Sequence, residues 1–302
     1  MTLQDIEAFV AVAETGSVNR AALRLHRTQP ATTRRLQNFE AALGGGPLLD
    51  RSAKPPVLTP AGRKALEYCR AVLKAVAELK TGVAQGGEVS GKLRIGVAHG
   101  LDEVVVGKPL DALRKRFPNV RLQVRSDWTR VLIEEVRTGA LDCAIGLVME
   151  EHALPKSVQV RSIEPEEVVV VAGSGARARS RAAQKVRLRD LAPEGWILNP
   201  AGCGCREALE RAFERAKLPM RVNAEVLGEK MQLAMIARSP GLGLVPRTQL
   251  RQSAHRAAIK VVKVDDFSLH GSISLLQGQS LGRLAEAVDH LFVEVESGLR
   301  AR

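Results

Sequence analysis

The sequence predicts a three-part chain: a small helical unit with a two-stranded wing, one long helix, and an α/β part made of two similar lobes. Three observations predict it. The chain has 302 residues, 45% hydrophobic and 26% charged, which suits two or three packed cores and is too apolar for a disordered chain. Apolar residues recur at three- and four-residue steps through the first third, and strand-like and helical runs alternate thereafter. Glycine and proline clusters at 44–47 and glycines at 86–91 separate these regions.

Leu3, Ile6, Phe9, Val10 and Ala13 form one apolar stripe, which predicts a first helix over 3–14 that ends at Thr15-Gly16-Ser17. Ala21, Ala22 and Leu25 predict a short second helix over 20–25, interrupted at His26-Arg27-Thr28. Thr28 is positioned to cap a third helix with Pro30 in its first turn, and Leu36, Phe39, Ala42 and Leu43 supply its buried face. Residues 48–51 and 54–58 read as a short wing with a proline-bearing tip. Thr59-Pro60 opens a helix reaching about Gly86, with Leu66, Cys69, Leu73, Val76 and Val83 at near-heptad spacing. A seam of that kind predicts pairing with a second copy of the chain. Packing on its own chain is the other reading.

Beyond the glycines the expected elements are a strand at 93–98, a helix at 109–117, a strand at 120–124, a further segment at 131–138 and a strand at 141–146. A second set covers 168–172, 196–198, 206–216, 224–226, 230–237 and 242–245, and the chain closes with a strand near 273–276 and a helix over 281–297. This alternation implies βαβ units and two lobes. The chain is expected to cross between them near residues 163–165 and again near 265–267.

Formal net charge is +12, and residues 1–90 hold 12 basic and 8 acidic side chains, so both parts are basic. Such a surplus favours polyanions. From Arg20 to Arg35 there are five arginines and no acid, whereas residues 1–19 carry three acids and no lysine or arginine. Two short helices joined by a tight turn, with small polar side chains and arginine on the second, suit a helix-turn-helix entering a major groove, where Gln29, Thr32 and Thr33 reach base edges. A solvated arginine face on an ordinary three-helix bundle fits the charge equally well. Only 3% of residues are aromatic, which argues against binding by stacked single-stranded bases.

Four cysteines without paired metal-ligand spacing exclude a disulfide scaffold and a structural zinc site. The opening MTLQDIEAFVAV carries acids where a secretory signal carries bases, and no apolar run approaches the ~20 residues of a membrane span. A soluble cytoplasmic protein without cofactor or metal is expected.

FVAVAETGS (residues 9–17), AALRLH (21–26), TQPATT (28–33) and LTPAG (58–62) are similar in order and spacing to the winged-helix signature of the LysR-type transcriptional regulators. FPNV (117–120), TGALD (138–142) and GLGLVP (241–246) resemble that family's second part. The resemblance implies a winged helix-turn-helix DNA-binding domain over 1–58 and a linker, dimerisation helix and hinge over 59–89. It implies an effector-binding domain over 90–302, periplasmic-binding-protein-like, with two Rossmann-like lobes: lobe I at 90–163 plus 268–302, lobe II at 164–267. Two departures stand out. Gly44-Gly45-Gly46-Pro47 carries about one extra residue before the wing, with Leu49 where an aromatic is common, and His99-Gly100 follows the first strand where the family often offers serine or threonine.

Resemblance and charge together place Gln29, Pro30, Thr32, Thr33 and Arg34 at the groove, with Arg35, Arg51 and Lys54 on phosphates. A small-molecule effector, expected to be a carboxylate or other anion, is placed between the lobes, against strand ends and helix N-termini. The loops there supply His99 and Gly100, Ser126, Asn199, and Cys203, Gly204 and Cys205. A lone histidine is also commonly structural. Cys203 and Cys205 at a helix start raise a separate hypothesis of oxidant sensing, against the plainer reading of cysteine as a small loop residue.

Enzyme motifs fail on context. Residues 278–282 spell GxSxG, but only the adjacent Asp289 and His290 follow Ser280, and residues 86–92 spell GxxxxGK with a strand where a helix is needed. Arg177, Arg179, Arg181, Lys185, Arg187 and Arg189 form a second basic run, a solvated face or an auxiliary DNA contact. The function expected is that of a non-enzymatic, sequence-specific regulator. It binds a dyad-symmetric double-stranded site as a dimer, within a tetramer as the resemblance implies, with RNA polymerase as a further partner and no membrane. The alternatives are a non-specific basic DNA-coating protein and a two-lobed small-molecule-binding protein with incidental DNA affinity.

Overall fold

The structure, a computed structural model, describes residues 1–44, 46–53, 55–82, 88–150, 154–177, 186–278 and 281–300. The chain divides into two compact units, Met1–Glu88 with Thr138–Ala140, and Val89–Arg137 with Leu141–Arg302.

In the first unit, Thr2 caps α1 (Leu3–Thr15) through a reciprocal pair: its hydroxyl accepts the Asp5 N–H at 3.3 Å and its own N–H donates to the Asp5 carboxylate at 2.7 Å. Gly16, at φ +62°, ends the helix in the left-handed conformation that glycine adopts most easily. Ser17 caps α2 (Val18–Arg24), and Thr28 caps α3 (Gln29–Ala42) by accepting the Ala31 N–H at 3.4 Å. The three helices close on Phe9 and Phe39, both buried, whose rings stack with centroids 5.0 Å apart. β1 (Leu49–Asp50) and β2 (Val57–Leu58) pair antiparallel with Leu49 opposite Leu58, so the expected wing is present.

The LTPAG segment has a physical explanation. The Thr59 hydroxyl donates to the Pro47 carbonyl at 3.1 Å and accepts the Gly62 N–H at 3.0 Å, capping α4 (Pro60–Gly82). Gly62 presses so close to the wing that a Cβ there would lie 1.9 Å from the Leu48 carbonyl oxygen. Only glycine lets the long helix start at that point. The heptad expectation for α4 needs correction. Leu66 and Cys69 are buried in the three-helix core with Leu73 packed against it, because α1 offers them an apolar face. Tyr68, Val72 and Leu79 form a different, exposed set on the same helix. Val83 and the start of the glycine linker lie outside the described residues.

The second unit is built on one nine-stranded mixed sheet. Its first elements are β3 (Gly91–Ala98), α5 (Asp102–Val105), α6 (Lys108–Arg116), β4 (Val120–Asp127), α7 (Thr129–Arg137) and β5 (Cys143–Met149). β6 (Val158–Ala172), α8 (Leu188–Leu191), β7 (Gly195–Leu198), α9 (Gly204–Arg215), β8 (Arg221–Glu225), α10 (Glu229–Arg238) and β9 (Leu242–Pro246) follow. α11 (Arg247–Gln252), β10 (Lys260–Val261), β11 (Leu269–Gly278) and α12 (Leu284–Arg300) complete the unit. The strand order is β4-β3-β5-β11-β6-β9-β7-β8, with β10 on β6. Leu93, Ile95, Leu113, Leu132, Ile145 and Leu275 fill lobe I, and lobe II packs Trp196, Leu209 and Phe213 on one face of its strands and Val171, Leu233 and Ile236 on the other.

The crossing expected near residues 163–165 is an unbroken strand. β6 pairs with β11 as far as Val168 and with β9 from Val168 onward, so the chain passes between lobes without a loop. Pro165 sits inside that strand, and a register shift opposite Ile273 and Ser274 absorbs one extra residue beside it. The return near 265–267 leads directly into β11. α5, α8, α11 and β10 were not anticipated, each being six residues or fewer, too short to show a period.

Candidate functional site

On α3 the helical period separates two faces. Thr32, Leu36 and Phe39 are buried, and Pro30, Arg34 and Gln37 lie exposed on the opposite side, with Gln29 exposed and Thr33 half-buried at the flank nearest the helix start. Thr32 is therefore corrected: it is fully buried, and its hydroxyl donates to the Thr28 carbonyl at 3.1 Å rather than facing outward. The arginines divide similarly. Arg35 pairs with buried Asp5 at 3.0 Å, Arg24 with Glu14 at 2.7 Å and Arg51 with Glu40 at 2.8 Å, so these three hold helices and wing together. Arg20, Arg27 and Arg34 make no ion pair among the described residues. Arg35 and Arg51 thus serve the domain's own packing first, and Lys54 lies outside the described residues. Asp5 is buried, which alone would raise its pKa, but hydrogen bonds from Thr2 and the Arg35 guanidinium hold it below the ordinary carboxylate range.

In the second unit the C-terminal ends of β3, β4 and β7 converge where the two lobes meet, the customary ligand position in an open α/β sheet. His99 Nδ1 lies 3.0 Å from the Ser126 hydroxyl, and its ring meets Trp128 edge-on at 4.7 Å. Trp128 in turn packs on Gly202, where a Cβ would fall 3.0 Å from the indole, so residues 199–205 of lobe II rest on lobe I. Gln249 of α11 donates to the Gly100 carbonyl at 3.1 Å, and Arg130 pairs with Glu207 at 3.6 Å. Lys230 pairs with Glu103. Gly100 takes φ +85°, a left-handed conformation that favours glycine, and a Cβ there would meet the end of the Glu229 side chain at 2.3 Å.

Asn199, buried at the end of β7, donates from its amide nitrogen to Gln232 Oε1 at 3.2 Å. Gln232 is itself fixed by donating to the Ile197 carbonyl at 3.0 Å, which sets the orientation of both amides. Asn199 Oδ1 and Gln249 Oε1 are both buried without a hydrogen-bond partner. His99, Gly100 and Ser126 lie at the strand ends of lobe I, and Asn199, Cys203, Gly204 and Cys205 lie on the loop of lobe II that meets Trp128, with Cys205 packed against the lobe II core. Sequence reasoning missed Glu229, Gln232 and Gln249. A glutamine inside the apolar run of α10 was the one available signal.

Cys203 precedes α9 and its thiol pKa is lowered to about 7, chiefly by a hydrogen bond with the Cys205 thiol and also by the amides of Arg206 and Cys205; Cys205 is pushed upward in return. Burial raises the Glu229 carboxyl above its usual range, with Asp102 reinforcing the shift and His99 opposing it.

A separate cavity of about 280 Å³ lies where β6, β11 and α11 meet, lined by Glu164, Glu166, Glu167, Arg247, Arg251 and His270 among others. Arg247 pairs with Glu167 at 2.6 Å and the Thr248 N–H donates to Glu166 at 3.2 Å, so α11 is anchored to β6 on this side and to Gly100 through Gln249. Of the GxSxG letters, Ser280 lies outside the described residues, Asp289 pairs with Arg161, and His290 meets Phe117. Arg177, Arg187 and Arg189 are exposed, and Arg179, Arg181 and Lys185 lie outside the described residues. Among the described residues there is no group of side chains suited to a metal ion and no helix long and apolar enough to cross a membrane.

Residues 3–63 match the model of the bacterial regulatory helix-turn-helix protein, lysR family, and residues 86–291 match the LysR substrate binding domain. The transcriptional regulator ShiR of Corynebacterium glutamicum is 30% identical over 249 residues, 81% of this chain and 82% of its own. CzcR of Bacillus cereus is 31% identical over 280 residues, covering 91% and 89%. A full-length OxyR variant from Pseudomonas aeruginosa has the same fold, with a TM-score of 0.74 at 20% identity over 98% of this chain and 94% of that one. With both parts matched in order across nearly the whole length, the chain belongs to the LysR family and is a DNA-binding transcriptional regulator with a C-terminal effector-binding domain.

Proposed function

We propose that the exposed face of α3 enters the major groove of a dyad-symmetric promoter site, with Gln29, Pro30 and Thr33 at the base edges and Arg34, Arg20 and Arg27 on phosphates. The observation that carries this reading is the sorting of the arginines: Arg24, Arg35 and Arg51 are tied to Glu14, Asp5 and Glu40, Arg20, Arg27 and Arg34 make no ion pair among the described residues, and Arg34 projects opposite the buried stripe. Phosphate contacts fix position and affinity, whereas Gln29 and Thr33 supply base discrimination. Dimerisation uses the exposed Tyr68, Val72 and Leu79 stripe of α4, and pairs of dimers contact RNA polymerase from the promoter.

A small metabolite bound between the lobes at His99, Ser126, Asn199 and Glu229 changes the arrangement of the DNA-bound subunits. It does so by binding one arrangement more tightly than the other, since equal affinity for both shifts nothing. The protein works in the cytoplasm and catalyses no reaction. Hydroxyl-radical footprinting of full-length protein on a selected promoter fragment tests the reading. Two protected half-sites about one or two helical turns apart are expected, weakened across all sequences by Arg34→Ala and respecified by Thr33→Ala. A single continuous protected tract with no dyad would refute it.

A further inference from the structure

Taking the interlobe cleft as the effector site, as proposed above, we infer that the effector carries an ammonium group, and that a simple carboxylate is not what this cleft is built to hold. The argument is one of unmatched acceptors. Asn199 is buried and its Oδ1 has no partner, and its orientation is fixed because Gln232, locked onto the Ile197 carbonyl, takes the amide nitrogen. Gln249 Oε1 is likewise buried and unpartnered while its nitrogen is held by the Gly100 carbonyl. The Glu229 carboxylate, crowded against Gly100 beside Gln249, forms no ion pair or hydrogen bond to another residue among those described. A buried acceptor such as Asn199 Oδ1 or Gln249 Oε1 is costly to leave unmade.

The cations of the cleft point the same way. Lys230 is paired with Glu103, Arg130 with Glu207, and Arg206 with Glu210 and Glu225. What the cleft offers a ligand is oxygen acceptors and one unpaired carboxylate, a complement to N–H donors and positive charge. An amine or an amino acid supplies both. In an amino acid the carboxylate would fall toward His99 and Ser126, which are hydrogen-bonded to each other and open to solvent.

The test is a thermal-shift and calorimetric comparison on the full chain. It uses matched probes: butylamine and putrescine, butyrate and succinate, and the common amino acids, each at about 10 mM, where even millimolar binders saturate. At least one ammonium-bearing probe is expected to raise the melting midpoint saturably. Glu229→Gln should weaken that probe by about 10-fold or more, as for a lost hydrogen bond to a charged group. Asn199→Ala should weaken it further, and Glu229→Gln without probe should melt at or above the parent's midpoint. A carboxylate-only probe that binds tightest, is unmoved by Glu229→Gln but is weakened by Ser126→Ala would overturn the ammonium inference and leave the cleft in place. A probe whose binding ignores all three variants would remove the cleft reading itself. Absence of any ammonium-bearing binder would also overturn the inference.

Discussion

Gly62→Ala is the substitution whose cost can be worked most directly from the structure. The new Cβ would lie 1.9 Å from the Leu48 carbonyl oxygen and 2.9 Å from its carbon, both backbone atoms that no rotamer change can move. Restoring ordinary contact requires the start of α4 and the wing to separate by about 1.1–1.5 Å. That carbonyl accepts the Thr59 N–H at 3.0 Å and the Thr59 hydroxyl at 3.2 Å, so the separation also breaks the cap. Overpacking of this kind costs about 1–3 kcal/mol and each lost hydrogen bond about 1 kcal/mol, against a gain of about 1 kcal/mol in helix propensity. The net loss is about 2–4 kcal/mol. For a unit of this size that lowers its midpoint by roughly 10 °C or more, read by calorimetry as the transition lost when residues 1–88 are removed. Gly298→Ala, in α12 with nothing within 4 Å of the added carbon, is the control and should leave both transitions in place or raise one slightly. A Gly62→Ala protein that melts and binds DNA like the parent would refute the close-approach explanation of the LTPAG segment.

The buried Thr32 gives a second test. Thr32→Val exchanges one hydrogen bond for a buried methyl of similar value, so DNA affinity and base preference should change by less than about 3-fold, whereas Arg34→Ala should weaken binding by about 10-fold and reduce its salt slope; fluorescence anisotropy on a selected site decides between them. The depressed Asp5 carboxyl adds stability that is present above the ordinary carboxylate range and lost as pH falls below it, so the first unit's melting midpoint should drop in acid, and Asp5→Asn should flatten that drop while lowering the midpoint at neutral pH. Cys203 should ionise with a midpoint of about 7 in a thiolate absorbance titration, a step absent from Cys203→Ser, while buried Cys69 stays protonated to about 11. If Cys203 and Cys205 act as an oxidant sensor, mild peroxide should modify Cys203 before Cys69, read by mass spectrometry; both cleft thiols unmodified while Cys69 oxidises would remove the idea.

The helices of the first unit were legible because each carries its own boundary chemistry: Thr2, Ser17 and Thr28 accept the first amides, and Gly16 takes the left-handed end. The wing and the alternation of strands and helices were equally plain. Burial direction within a helix was legible only in part. Thr32 reads as a polar groove residue until the helix is wound, when it falls in line with Leu36 and Phe39. The near-heptad seam of α4 describes an apolar face correctly but cannot say whose core covers it, and α1 does so for Leu66 and Cys69. Long strands that belong to two lobes at once also defeat local reading, since β6 pairs with β9 and β11 across 70 to 120 residues of chain. Between the lobes, the loops named from strand ends do meet in space, through His99, Trp128 and Gly202. Glu229, Gln232 and Gln249 come to the same place from helices distant in sequence, and only Gln232, a glutamine inside an apolar run, leaves a local signal.

The most direct test of the account is genome-wide enrichment of DNA fragments by the full-length protein at physiological salt, alongside Thr33→Ala and Arg34→Ala. A few sharp peaks sharing an inverted repeat, respecified by Thr33→Ala and uniformly weakened by Arg34→Ala, are expected. Diffuse retention unchanged by either variant would mean that charge alone binds the DNA and would contradict the groove-reading assignment of α3.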